Sequence, residues 1–215
     1  MISSIVYTNS QRQSMLSDTI TSIERGGFRK PAVLTDDGDY GAWKMLQMAV
    51  AAGAVEAIRN NDVMCGVFQD DILLCENVVG LFGDEISRLT ASGKLVSLFT
   101  SAGNHVGVGG WNAVKVPSRA YGAQAYVFSV DMALKFVETA PVGQKHLADH
   151  WVGVWCHKQG VEYVCHSPSL VLHIGDGDST IGGNAGVSWF RNCQEWLAYA
   201  NKTKSVGSGV LRSRD

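Results

Sequence analysis

The feature that most constrains this chain is the near-continuous apolar run Val63-Met64-Cys65-Gly66-Val67-Phe68, which stops abruptly at Gln69-Asp70-Asp71. A short apolar run without alternation is expected of a strand covered on both faces, and helices on either side of a sheet supply that cover. The preceding residues predict such helices. Ile2 to Thr8 is an apolar run rich in β-branched residues, followed by Met15, Ile20 and Ile23 at helix-like spacing until Gly26-Gly27. Pro31 opens a second strand, Ala32 to Thr35, which runs into Asp36-Asp37-Gly38-Asp39. A helix is predicted from about Gly41 to Ala52, with Trp43, Leu46, Met48 and Val50 on its apolar face. Three β-α repeats in succession predict an α/β fold with a mostly parallel sheet flanked by helices. In such sheets ligands gather at the carboxyl ends of the strands. Thr8 to Arg12, Asp36 to Asp39 and Asp70-Asp71 all occupy such ends.

The second half is less regular. Leu95 to Thr100, Ala125 to Ser129, Val161 to Cys165 and Ser169 to Leu172 read as strands. Ala125 to Ser129 leads into a helix through Ala133, Phe136 and Val137, and a further helix begins near Ala148 with Trp151, Val154 and Trp155 on one face. Gly103 to Gly110 and Ile174 to Gly186 read as Gly-rich loops, and Trp189 to Tyr199 as a closing helix. No internal repeat or Pro-rich linker divides the chain. With 215 residues and 46% hydrophobic content, one domain is expected over 1–200, followed by a flexible basic tail over 201–215.

The net charge of −2 gives no general attraction to nucleic acid or an anionic membrane. No run approaches the ~18 apolar residues of a membrane span, and Met1 to Tyr7 lacks the basic start of a signal peptide. The five cysteines show no CxxC spacing, so a reduced, cytoplasmic protein is expected.

Several residues are candidates for chemistry. Asp70 and Asp71 are adjacent carboxylates that repel unless a cation or donor relieves them. A hard divalent ion, Mg²⁺ or Mn²⁺, would suit them; alternatively Asp71 caps the next turn and Asp70 faces water. His173 closes an apolar strand and reads as a structural hydrogen-bonder or a ligand. Asp149 fits two roles equally: a carboxylate favoured by the first turn of a helix, or a catalytic base. His146 and His150 lie four apart, with His157 beyond, but the glutamate of HExxH is absent. No GxxxxGK[ST] phosphate loop, dinucleotide fingerprint or GxSxG elbow is present.

Taken together, these segments resemble the GT-A-type glycosyltransferases, with a similarity to branch-forming N-acetylglucosaminyltransferases and relatives. Ile5-Val6-Tyr7-Thr8-Asn9-Ser10-Gln11-Arg12 is similar to their first strand and its Arg-bearing turn. Val33-Leu34-Thr35-Asp36-Asp37 and Val67-Phe68-Gln69-Asp70-Asp71-Ile72 are similar to the two acidic strand ends, the second being "DxD-like". Tyr121 to Ser129 looks like the strand beneath the sugar site, and Pro168-Ser169-Leu170-Val171-Leu172-His173-Ile174-Gly175 resembles a Pro-x-Leu-Val-x-His-Ile-Gly segment. Many relatives read Glu-Asp-Asp where this chain has Gln69-Asp70-Asp71.

The resemblance implies a GT-A-like domain that moves a hexosyl or N-acetylhexosaminyl group from a nucleotide-sugar, UDP-linked, to an acceptor hydroxyl. Thr8, Arg12, Asp36 and Asp37 would hold the nucleoside, with Asp70 near the ribose or sugar. Asp71 and His173 would bind Mn²⁺ or Mg²⁺, and Asp149 would be the base of an inverting reaction. The acceptor would be a glycan, a metabolite or a hydroxylated DNA base. Two other classes stay open: a metal-dependent hydrolase of a phosphodiester or nucleotide-sugar, and a catalytically silent nucleotide- or carbohydrate-binding module.

Overall fold

The computed structural model describes residues 1–10, 13–38, 40–100, 109–119, 122–143 and 147–174. Arg12, His146, the glycines from 103 to 107, the Gly175–Gly186 loop, the 189–199 helix and the 201–215 tail lie outside the described residues.

The first half alternates as expected: β1 (Ser3–Asn9), α1 (Gln13–Arg25), β2 (Ala32–Asp36), α2 (Gly41–Arg59) and β3 (Met64–Gln69). A short strand β4 (Ile72–Leu74) and helix α3 (Val78–Ala91) follow, then β5 (Leu95–Ser97), β6 (Gly110–Ala113), a 3-10 turn at Pro117–Arg119 and β7 (Ala125–Ser129). Helices α4 (Val130–Thr139) and α5 (Ala148–Gln159) precede β8 (Tyr163–Ser167) and β9 (Val171–His173).

Seven strands form one sheet in the order β2-β1-β3-β7-β5-β8-β6. β1 pairs in parallel with β2 and β3, and β5 in parallel with β8; β7 runs antiparallel to β3 and β5, and β6 antiparallel to β8. Five of the seven therefore point one way, and only β6 and β7 are reversed. The architecture is α/β, a mostly parallel sheet flanked by helices.

Alternation along the central strands feeds two cores. Ile5, Tyr7, Cys65 and Val67 pack with α2, α4 and α5 around Trp43, Phe136 and Trp155. Val6, Met64 and Phe68 face the opposite side, where Ile23 of α1 meets Val78, Phe82 and Ile86 of α3. A strand that serves both cores needs apolar residues at successive positions, which explains why β3 reads as a continuous run.

Two helix faces differ from the expected ones. In α1 the buried side chains are Thr19, Ser22 and Ile23, with Met15 and Ile20 only half-buried. In α5 the buried stripe is Ala148, Asp149, Val152, Gly153, Trp155 and Cys156. Trp155 is a core residue whose indole Nε1 donates to Thr139 Oγ1 at 2.9 Å, while Trp151 and Val154 are half-buried. Burial of an indole needs such a partner. Gly153 brings α5 against the 3-10 turn, since a Cβ there would overlap the Pro117 carbonyl.

On the α1/α3 side the β8 residue His166 is buried between Phe82, at 4.8 Å between ring centroids, and Trp111, at 5.1 Å. Burial pushes its imidazole below the ordinary histidine value, opposed by the Nδ1 contact to the Pro168 carbonyl at 2.8 Å and by Glu85. The unfolded chain therefore takes up this proton at a higher pH than the folded chain does. The stability linked to His166 is complete above the unfolded value of about 6.5 and is lost as pH falls through the folded value. The melting temperature is expected to fall from pH 7.5 to pH 5.5, and His166→Phe to flatten that segment of the profile. Equal slopes in the two proteins would assign the acid sensitivity to other groups.

Candidate functional site

Because β1, β2 and β3 are parallel, their carboxyl ends share one rim: Asn9 stands opposite Asp36, and Tyr7 opposite Gln69. The reversed strand β7 begins at this rim, with Ala125 beside Phe68. The segment that leads into it, Gly122 to Gln124, thereby joins the site, and the Gln69 amide donates to the Gln124 carbonyl at 2.9 Å.

The acidic turn after β3 is held by α1. Thr19 Oγ1 lies 2.7 Å from the Asp70 carbonyl and 2.8 Å from the Ile72 carbonyl, and the Ile72 amide approaches it at 3.3 Å. One turn on, Ser22 Oγ accepts from the Leu74 amide at 3.0 Å. Both hydroxyls satisfy buried backbone groups beside the turn, which accounts for polar residues on the buried face of α1.

Asp70 and Asp71 are both buried. Thr8 Oγ1 donates to Asp70 Oδ2, so Asp70 does not face water. Asp71 Oδ2 lies 2.9 Å from His173 Nε2 across a sequence separation of 102 residues. The second, two-stranded sheet makes this contact: β4 pairs antiparallel with β9, which sets Ile72 opposite His173, and the Ile174 amide donates to the Asp71 carbonyl at 2.8 Å.

Asp149, in the first turn of α5, is buried as well. Its Oδ1 accepts from the His150 amide at 2.8 Å, the local bond of a helix start, and its Oδ2 accepts from the Gly122 amide at 3.1 Å. Both of the roles that the sequence left open are thus compatible with its place. His150 and His157 are exposed on α5.

Tyr7 feels the charge of all three carboxylates. Its hydroxyl donates to the Ala123 carbonyl at 3.1 Å. Burial first, and then the charges of Asp71, Asp70 and Asp149, push its phenol far above the ordinary value, with a Gln69 side-chain hydrogen bond working the other way. The charges of three carboxylates from two separate elements therefore bear on one buried, protonated hydroxyl. In the sequence Tyr7 is marked only as one residue of the first apolar run, and its place immediately before Thr8 at the strand end is the signal that points to the site.

The remaining candidates are placed differently. Asp36 is buried and its carboxylate accepts from the amides of Gly38, Tyr40 and Gly41 at 3.0, 3.3 and 3.2 Å. These bonds shape the turn into α2, and negative charge is favoured at that helix start. Asp37 is exposed beside it.

Asp71 and His173 meet at 2.9 Å, the distance of an ordinary hydrogen bond, and both are residue types that can ligate a cation. Neighbouring ligands of an octahedral ion with bonds of about 2.1 Å would also stand about 3 Å apart. Among the described residues no group of three or more His, Cys, Asp and Glu side chains clusters as a metal site. A cation here would complete its shell from a bound molecule and water, the usual arrangement for a hard ion that binds phosphate.

No protein-family model and no curated protein matches the sequence. Among solved structures the chain is similar to A197 from STIV, with a TM-score of 0.53 and 10% identity over 81% of this chain and 87% of that one. A cytidylyltransferase from Leptospira borgpetersenii serovar Hardjo-bovis covers 99% of each chain at 11% identity, with a TM-score of 0.47. UDP-glucose pyrophosphorylase complexed with UDP-glucose gives 0.43 and 9% identity over 77% of this chain and 90% of that one. At such identities the likeness speaks for the fold alone. None of these three is named as a branch-forming N-acetylglucosaminyltransferase, so the narrower resemblance drawn from the sequence motifs gains nothing from them. No described helix is long and apolar enough to cross a membrane.

Proposed function

We propose that the chain is a metal-dependent glycosyltransferase that moves a sugar from a UDP-sugar to an acceptor hydroxyl with inversion. One observation supports this reading above the rest: a buried carboxylate, Asp149, stands on a different element from the Asp70–Asp71 turn, while Asp71 is in contact with His173. A phosphate nucleophile is already anionic and needs no base, whereas a sugar or alcohol hydroxyl must lose a proton as it attacks. A carboxylate set apart from the cation ligands supplies that need.

In this reading Thr8, Arg12 and the Asp36–Asp37 turn receive the nucleoside, Asp37 offering an exposed carboxylate and Asp36 fixing the turn. Asp70, oriented by Thr8, faces the ribose or sugar. Asp71 and His173 would hold Mn²⁺ or Mg²⁺, which when bound neutralises charge on the departing diphosphate. Asp149 takes the acceptor proton on a carboxylate oxygen while the Gly122 and His150 amides keep it oriented. A single displacement inverts the anomeric carbon. Burial of Asp70, Asp71 and Asp149 excludes water, which strengthens each electrostatic contact.

The test is product analysis with a panel of UDP-sugars and Mn²⁺, offered with glycan, small-molecule and hydroxymethylated-DNA acceptors, with pyrophosphate, and alone. The expected products are UDP and a glycoside of inverted configuration. UTP and a sugar phosphate in the pyrophosphate arm alone would replace this reading by nucleotidyl transfer. Cleavage independent of acceptor would replace it by hydrolysis. Donor binding with no turnover across the panel would leave a binding module.

A further inference from the structure

The proposed role of Asp149 requires its carboxylate to be aimed, and the bond that aims it from outside its own helix comes from the Gly122 amide. That amide belongs to a turn with an uncommon backbone. Gly122 has φ +98, and a Cβ there would run into the Phe99 ring, so conformation and space both demand glycine. Glycine takes up this conformation without strain but also leaves it freely, so the turn must be held by its surroundings.

Three contacts do so. Tyr126 Oη donates to the Gly122 carbonyl at 3.0 Å, Tyr7 Oη donates to the Ala123 carbonyl at 3.1 Å, and the Gln69 amide donates to the Gln124 carbonyl. The two phenols are buried and come from β1 and β7, the strands on either side of β3. Ring packing at Tyr126 does not require its hydroxyl: the ring meets Phe128 edge-on and Tyr163 at a tilt, with centroids 6.0 Å apart in each case. Each hydroxyl anchors one carbonyl of the same turn, beside a further side-chain partner, Gln69 for Tyr7 and Tyr163 for Tyr126.

The geometry points to Tyr7 and Tyr126 as a pair of positioning residues that act through the Gly122 amide to orient Asp149. Each phenol fixes one peptide of the turn, the turn presents Gly122 N–H, and that N–H sets which Asp149 oxygen stays turned toward the rim. The inference rests on the reading of Asp149 as the base, and it adds the device that aims it.

The test needs no substrate. An amide that donates to a carboxylate changes its proton shift when the carboxylate titrates. The amides of Gly122 and His150 are followed by ¹⁵N-resolved NMR through an acid titration in the unmodified protein, Asp149→Asn, Tyr7→Phe and Tyr126→Phe, with melting temperatures recorded for all four. In the unmodified protein both amides are expected to move with the titration, and in Asp149→Asn neither. In each Tyr→Phe variant the Gly122 excursion is expected to fall to about half or less, because hydrogen bonds weaken steeply once misaligned. The His150 excursion, set within the helix, is expected to persist. A general loosening would shrink both excursions together and overturn the inference, as would an unchanged Gly122 excursion in both variants. Failure here leaves the product assay untouched, and failure of the product assay leaves this grip on Asp149 standing.

Discussion

Replacing Asp149 with Asn is expected to lower turnover by roughly 10²–10⁴-fold while donor affinity stays nearly intact. The substitution keeps the size of the side chain but removes the proton-accepting charge. One of the two amides that now donate to the carboxylate, Gly122 or His150, then faces an NH₂ group. A stability loss on the order of 1 kcal/mol accompanies that lost bond. If Asp149 merely favours the start of α5, the variant should lose only about 0.3–1 kcal/mol and turn over at a near-normal rate. Stability is thus similar in the two cases, and turnover separates them. Steady-state kinetics and denaturant unfolding on the same variant provide both numbers.

The second large effect is expected at Asp71. Asp71→Ala removes a buried carboxylate that touches His173 and stands beside Asp70. The neighbouring backbone is held independently: the Asp71 carbonyl accepts from the Ile174 amide, Thr19 bridges the Asp70 and Ile72 carbonyls, and β4 remains paired with β9. Loss of one of two adjacent carboxylates also relieves their repulsion. The variant is therefore expected to fold and to melt close to the unmodified protein. His173 alone is a single neutral ligand without charge, too little to retain a hard dication. Metal-dependent donor binding should disappear, while any metal-independent nucleotide contact through the Asp36–Asp37 turn is kept.

The legible parts of the sequence were those whose signal is local. A strand that feeds two cores must be apolar at every position, so β3 announces itself, and the acidic residues that end it stand out by contrast. The parallel direction of β1, β2 and β3 follows from three β-α repeats, and with it the convergence of Thr8, Asp36 and Asp70 on one rim. The reversal of β7 was not legible. Ala125 to Phe128 are buried, and nothing in such a run states its direction; pairing with β3 and β5 decides it. The contribution of Gly122 to Gln124 was hidden with that reversal. Thr19 and Ser22 were overlooked because a helix face is sought by its apolar residues, and here two hydroxyls are buried to satisfy a turn that lies more than fifty residues away. Helix α3 shows the same preference for tertiary spacing, with Val78, Phe82, Ile86 and Thr90 buried at every fourth position. The pairing of Asp71 with His173 depends on the two-stranded ladder, which is long-range and leaves no mark on either segment alone.

The central claim is that the carboxylate at the end of β3 holds a cation through which a nucleoside diphosphate binds. Titration calorimetry with UDP tests it most directly, on the unmodified protein with Mn²⁺, on the same protein with EDTA, and on Asp71→Ala with Mn²⁺. The account predicts measurable heat of binding in the first case and its loss in the other two, with the variant still folded by its melting curve. Equal UDP affinity with and without Mn²⁺, or unchanged Mn²⁺-dependent affinity in Asp71→Ala, would contradict it.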